Sequence, residues 1–209
     1  MSRKKRSPIH FFLLFIVMLV LIWALIKPEE GYRVLLMEVS PSVLVLIFLI
    51  SRYNHFRLTT VSYVIIAVLV ILTFIGGHYS YAKVPLFTWI KDYFDLQRNH
   101  YDRFGHFLKG MMVIVIIEIL LRKTVLLKSK TTNFIALCIT LAIGAFYEII
   151  EWASTKIGKE GKATKDFLGM QGDIWDSQKD MTLLLAGSIL SLFFFTKILY
   201  KGLEKLDNE

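Results

Sequence analysis

A single cysteine, Cys138, stands in 209 residues. That excludes an intrachain disulfide framework, and its place inside an apolar run leaves the redox compartment open. No internal repeat and no low-complexity tract divides the chain, so it reads as one unit, 1–209. Two histidines four residues apart, the helical zinc signature, are missing, and so is any serine–histidine nucleophile pattern. The apolar stretch Ile9 to Ile26 follows Arg3-Lys4-Lys5-Arg6 as in a signal peptide. It ends in Ala24-Leu25-Ile26-Lys27-Pro28-Glu29, which lacks a small-residue cleavage site, so it is read as an uncleaved membrane helix.

What the chain has in excess is apolar length. Its residues are 55% hydrophobic and its mean hydropathy is +0.55. Several runs approach the roughly 20 residues that cross a bilayer. Spans are predicted at about 9–26, 34–50, 56–77, 104–121, 132–152 and 181–197. The expected fold is all-α, a polytopic bundle of six transmembrane helices in one integral membrane domain. The net charge of +8 suggests nucleic acid until its placement is considered. Arg3 to Arg6, Arg52, Arg57, Arg122, Lys123, Lys128, Lys130, Lys197, Lys201 and Lys205 lie in the tails and in short connections. That is the pattern of membrane orientation, and it sets both termini in the cytoplasm with no nucleic-acid partner.

The third connection, 78–102, is polar and aromatic. Leu86, Phe87, Ile90, Tyr93 and Phe94 repeat there at helical spacing, with Lys91, Asp92 and Asp95 elsewhere on the wheel. A short amphipathic helix in the membrane interface is expected, although a loop packed on its neighbours would carry the same pattern.

The orientation brings ionisable groups from four spans to one outer level. Asp102, His106 and Lys109 stand at i, i+4 and i+7 at the mouth of span four. Glu148 and Glu151 end span five, Asp173, Asp176 and Asp180 lead into span six, and Glu38 lies about a turn inside span two. Charge inside a span is costly unless it faces a bundle interior or a watery cavity. Capping is the plainer account for some of these acids. Asn99 with Asp102, and Asp173 with Asp176, resemble capping boxes. Capping does not cover His106, Lys109 or Asp180, and the helix dipole disfavours anions where Glu148 and Glu151 sit. Glu118 with Arg122 at i+4 reads as an interfacial ion pair, His10 and His55 need no function, and Gly144 permits close helix contact.

Four stretches then appear in order: Gly76-Gly77-His78-Tyr79-Ser80-Tyr81-Ala82-Lys83-Val84-Pro85, Asn99-His100-Tyr101-Asp102-Arg103-Phe104-Gly105-His106-Phe107, Tyr147-Glu148-Ile149-Ile150-Glu151-Trp152, and Phe167 through Met181. Together they closely resemble the YjdF family of bacterial inner-membrane proteins, over about residues 60 to 195. The resemblance implies a multi-pass protein of the bacterial inner membrane and no particular reaction. The Asp102-Arg103-x-x-His106-Phe107 opening is also distantly similar to VanZ-like membrane proteins, which are linked to glycopeptide resistance.

Candidate catalytic residues are therefore His106, Asp102, Glu148, Glu151, Asp173, Asp176 and Asp180. Candidate substrate-binding residues are His78, Tyr81, Arg103, Lys109 and Gln178. The sequence names no cofactor; a divalent cation is one candidate, with Asp102, His106, Glu148, Asp173 and Asp176 as its candidate ligands. Mostly oxygen donors with one imidazole suit Mg, Mn or Zn. Such an ion would polarise a phosphoryl or ester oxygen of a lipid or envelope precursor and activate water, with Lys109 or Arg103 on the phosphate. Two other functions fit the same residues: a proton- or ion-coupled transporter, and a non-catalytic protein whose polar network staples four helices. Membrane lipid is the expected partner; the sequence names no protein partner.

Overall fold

In the computed structural model, residues 7–157 and 171–208 are described. Every regular element among them is helical: α1 (Pro8–Ala24), α2 (Tyr32–Arg52), α3 (Thr60–Tyr79), a 3-10 turn at Tyr81–Lys83, α4 (Pro85–Tyr93), α5 (Tyr101–Lys109), α6 (Met112–Lys123), α7 (Lys130–Ile157) and α8 (Asp176–Asp207). The glycines at 158, 161 and 169, and the first four residues of the fourth stretch, 167–170, lie outside the described residues.

Five of these helical segments are long and apolar enough to cross a bilayer: α2, α3, the α5–α6 segment Tyr101–Lys123, α7 and α8. Helix α1, at 17 residues, falls just short. Large apolar side chains stand exposed along these helices, among them Phe12, Phe15, Leu44, Phe48, Phe134, Phe146 and Phe193. A belt of that kind would be a liability in water and suits lipid.

Helix ends fall where the local chemistry sets them. Helix α3 starts at Thr60, later than hydropathy suggests, because Thr59 caps it with a side-chain oxygen that accepts from the Ser62 amide. Helix α8 runs on past the apolar stretch to Asp207, carrying Lys197, Lys201 and Lys205 beyond it. The expected helix in the third connection is α4. Its Leu86, Trp89, Tyr93 and neighbouring Phe94 are exposed, and the Trp89 and Tyr93 rings stack at 5.4 Å. Phe87 turns the other way, onto Tyr101 and Phe104.

The feature that builds the site is the crossing of α5 and α8. A Cβ on Gly187 would run into the Phe107 carbonyl, and one on Gly110 would strike the α8 backbone at Leu184, Gly187 and Ser188. Two glycines thus let two backbones touch. Both helices enter from the same side, so the residues preceding each glycine face one another. His106 and Asp102 lie four and eight positions before Gly110, and Asp180 lies seven before Gly187. That sets all three roughly 6–12 Å above the crossing. Below it, Val113, Ile114, Ile117 and Leu199 form a closed apolar core with Ile65 of α3.

Candidate functional site

The acids gathered at the α5–α8 mouth fall into two layers with opposite charge balance. The upper layer is an ion-pair network. Arg98 pairs with Asp176, Arg103 pairs with Asp173, and Lys179 meets Asp173 at 2.6 Å. Arg103 also lies 3.6 Å from Asp176, and Arg98 lies 4.0 Å from Asp173. Gln171 locks the layer to the start of α5. Its side chain accepts from the Asn99 amide at 2.9 Å and donates to the Asn99 carbonyl at 2.9 Å. Hydrogen bonds from the Lys179 ammonium and the Trp175 amide, with Arg103 beside them, hold the Asp173 carboxyl well below the usual carboxylate range. Partial burial, then the nearby Arg103 and Arg98, lower the His100 imidazole from its ordinary value.

The lower layer holds acids with little cation to match. Asp102 and His106 of α5 and Asp180 of α8 are all buried, and each offers a ligand atom within 4.8 Å of the others. His106 Nε2 lies 3.7 Å from Asp102 Oδ1 and 3.3 Å from Glu148 Oε1. Lys109 Nζ approaches the same nitrogen at 3.1 Å and sits 4.5 Å above the Tyr147 ring. Since an ammonium can only donate, Nε2 accepts and the ring proton belongs on Nδ1. Glu151 bonds to Tyr147 beside this group, and Ser177 bonds to Glu148.

Glu38 reaches the layer from α2 across α3. Its carboxylate lies over Gly77, where a Cβ would stand 3.5 Å from Oε2, between the flanking Leu35 and Val39. Asp102 and Lys109 are the charged groups that act on it. Both Glu38 oxygens, His106 Nδ1, Glu148 Oε1 and Asp180 Oδ1 are buried without a hydrogen-bond partner. Buried polar atoms are rarely left so, and a cluster of them has the capacity to take up an ion or a proton.

The donor set fits a divalent cation. Two ligands each about 2.1 Å from one ion stand about 3.0–3.4 Å apart. The His106–Glu148 and His106–Asp102 separations are at or slightly above that range, so small side-chain shifts would close them.

The other candidates lie elsewhere. His78 donates from Nδ1 to the Ala24 carbonyl, 3.1 Å away, and packs its ring on Trp23, so it ties α3 to α1. Tyr81 is buried against Tyr101, and burial pushes its hydroxyl well above the ordinary value. Gln178 is exposed on the first turn of α8. Asp102 does not cap its helix. Asn99 takes that role locally, accepting from the Tyr101 amide at 3.0 Å, while its amide group donates to the Val84 carbonyl and Thr88. Arg98 was not among the sequence candidates, although its place directly before Asn99-His100 was the available signal. Gln171 was quoted only as part of a stretch.

A second buried acid lies at the opposite end of the bundle. Glu118, fully buried, accepts from the Thr59 amide at 2.8 Å, the Thr59 hydroxyl at 2.7 Å and the Ser62 hydroxyl at 2.5 Å. Arg122 donates to it at 2.8 Å and also to the Arg57 carbonyl at 2.6 Å. A cavity of about 300 Å³ opens at that same end of α3, between α1, α2 and α3, with Val17, Leu46, Tyr53 and Tyr63 in its wall.

Residues 9–201 match the family model described as a predicted membrane protein, DUF2238. The chain is 37% identical over 171 residues to the inner membrane protein YjdF of Escherichia coli K12, covering 81% of each. No solved structure matches it. With a family model spanning most of its length, the chain belongs to the DUF2238 family of membrane proteins, alongside YjdF.

Proposed function

We propose that this is a six-span protein of the bacterial inner membrane that holds a divalent cation at Asp102, His106 and Asp180, with Glu148 at the edge of the site. The cation serves hydrolysis or group transfer at a phosphoryl or ester group of a lipid-linked precursor in the outer leaflet. One observation carries the reading: Asp102, Glu148 and Asp180 converge around one imidazole that also meets an ammonium, and Glu148 and Asp180 each keep an unpartnered oxygen there. Burial of so much uncompensated negative charge is prohibitive; protons or a dication relieve it, and the imidazole set among the acids favours the dication. When bound, it would polarise the substrate oxygen and lower the pKa of a coordinated water. His106 and the acids would hold it, and Glu148, 3.3 Å from His106 Nε2, would stand beside it as a proton acceptor.

The sixth span in this reading is α1. Its start meets the start of α3 through His10 Nε2 and Thr60 at 3.0 Å, and its end meets the end of α3 through Ala24 and His78. It therefore covers the same depth as the 20 residues of α3, which supports counting it as a crossing with the amino terminus in the cytoplasm.

A permease is less well supported, because Val113, Ile114 and Ile117 seal the depth between His106 and Glu118. The purely structural reading draws on the upper layer, where Arg98, Arg103 and Lys179 match their acids. Titrating detergent-purified protein with Mn²⁺ by calorimetry separates the two. The proposal expects one site that Asp102→Asn and Asp180→Asn abolish; no binding to well-folded wild type overturns it. Phosphate release from a short-chain lipid phosphate, dependent on Mn²⁺ and lost in Asp180→Asn, is the expected reaction.

A further inference from the structure

Lys109 occupies an unusual position for a residue of a cation site. Its ammonium lies 3.1 Å from His106 Nε2, the nitrogen that also faces Asp102 at 3.7 Å and Glu148 at 3.3 Å. A metal taken through Nε2 with those carboxylates must enter the space the ammonium now holds, because one lone pair serves one acceptor role. The side chain is only half-buried and ends over the Tyr147 ring, 4.5 Å from its centre. The ammonium thus touches the imidazole and the ring face at once, so it can draw back from Nε2 across the ring without losing the cation–aromatic contact. The lysine stem is flexible enough to make the exchange.

We propose that Lys109 is a tethered counter-cation that competes with the divalent ion for His106, draws back from the imidazole over the Tyr147 face when the ion binds, and there presents its charge to an anionic phosphoryl group. The inference deepens the cation-site reading and rests on it. It assigns Lys109 two linked tasks. Without metal, it partly neutralises the acids of the lower layer: it acts on Glu38, Glu148 and Glu151, and together with Arg98 and Arg103 on Asp102. With metal, the same charge becomes available to substrate, so substrate binding is favoured only once the ion is in place. Arg103, the other cation considered for phosphate, is committed to Asp173 and Asp176 and cannot share that task.

The test uses full-length protein in detergent, Mn²⁺ and inorganic phosphate. In Lys109→Met, Mn²⁺ should bind about tenfold more tightly than in wild type, while phosphate binding to the Mn²⁺-loaded protein weakens at least tenfold. Lys109→Arg, which keeps the charge, should leave Mn²⁺ affinity within a few-fold of wild type. In wild type, acetylation of Lys109 by acetic anhydride, read by peptide mass spectrometry, should rise when Mn²⁺ is added. Unchanged or weaker Mn²⁺ binding in Lys109→Met, or Lys109 labelling that Mn²⁺ leaves unchanged or lowers, overturns the exchange. The labelling arm needs no variant, so it stands even if Lys109→Met folds poorly. Wild type that binds no Mn²⁺ at all would instead overturn the underlying cation site, which makes the two failures distinguishable.

Discussion

Glu118 and the Asp102–His106–Asp180 group are both buried acid clusters, yet they are furnished in opposite ways. Glu118 receives three hydrogen bonds from the Thr59–Ser62 turn and an ion pair from Arg122. In the second group Asp180 Oδ1, and Glu148 Oε1 beside it, have no hydrogen-bond partner, and one ammonium lies close to the imidazole. A carboxylate that is fully satisfied by its own chain is a staple between helices, because any ligand would have to break more than it makes. One that is left open in a tight, preformed space has its partner still to come. Burial and charge alone do not tell the two apart; the accounting of partners does.

Breaking the inner cluster should have the largest effect on folding. Glu118→Ala strands the Thr59 amide, two hydroxyls and Arg122, and costs about 3–5 kcal/mol by the usual penalty for a broken buried pair. At roughly 2–4 °C per kcal/mol for a chain of this size, the apparent Tm in detergent should fall by about 6–20 °C. Calorimetric Mn²⁺ affinity of whatever remains folded should be unchanged. Next comes Gly187→Leu, which drives a side chain into the Phe107 carbonyl. Overpacking of this kind costs about 1–3 kcal/mol. Unlike Glu118→Ala, it should also weaken Mn²⁺ binding, because it spreads α5 from α8 and separates His106 from Asp180.

Asp180→Asn sharpens the comparison by reversing it. Removing one charge from an under-compensated group should leave Tm unchanged or raise it, by up to about 1–2 kcal/mol of relief, while cation binding disappears. A clear fall in Tm without metal present would return the outer cluster to the staple class. The smallest effect belongs to Asp173→Asn, in the balanced upper layer. Asp173 has its carboxyl lowered in the folded state by Lys179, the Trp175 amide and Arg103. Its contribution is therefore complete above the ordinary carboxylate value of about 3.9 and is lost as pH falls through the lowered folded value. The stability gap between wild type and Asp173→Asn, read by thermal unfolding, should be steady from pH 7 to about 5 and shrink below about 4. His100, also lowered, has the same sign at a higher range: its contribution is full above about 6.5 and declines as pH falls below that.

Much of this was legible before any coordinates. Apolar length exposed the membrane helices, the spacing of Leu86 to Phe94 exposed α4, and Glu118 with Arg122 at one helical turn exposed an ion pair, because each signal is local. The convergence of Asp102, His106, Glu148 and Asp180 was legible in part from the alternation of the spans, since residues at matching ends of several spans share a level. The division of the acids into two layers was not legible. Which of Asp173, Asp176 and Asp180 meets an arginine depends on the register of α8 against α5, and the Gly110–Gly187 contact fixes that register. Likewise Thr59 and Ser62 lie far from Glu118 in sequence, so a pair became a closed network only once α3 was packed on α6.

Metal content of the protein as purified tests the central claim most directly. Inductively coupled plasma mass spectrometry on detergent-purified wild type, after a wash in metal-free buffer, should find about one Mn, Mg or Zn per chain. The ion should vanish in Asp180→Asn and in His106→Gln and persist in Ser62→Ala, which touches only the inner cluster. Well-folded wild type that carries no metal and takes none up on addition, or metal content indifferent to Asp180 and His106, would contradict the account.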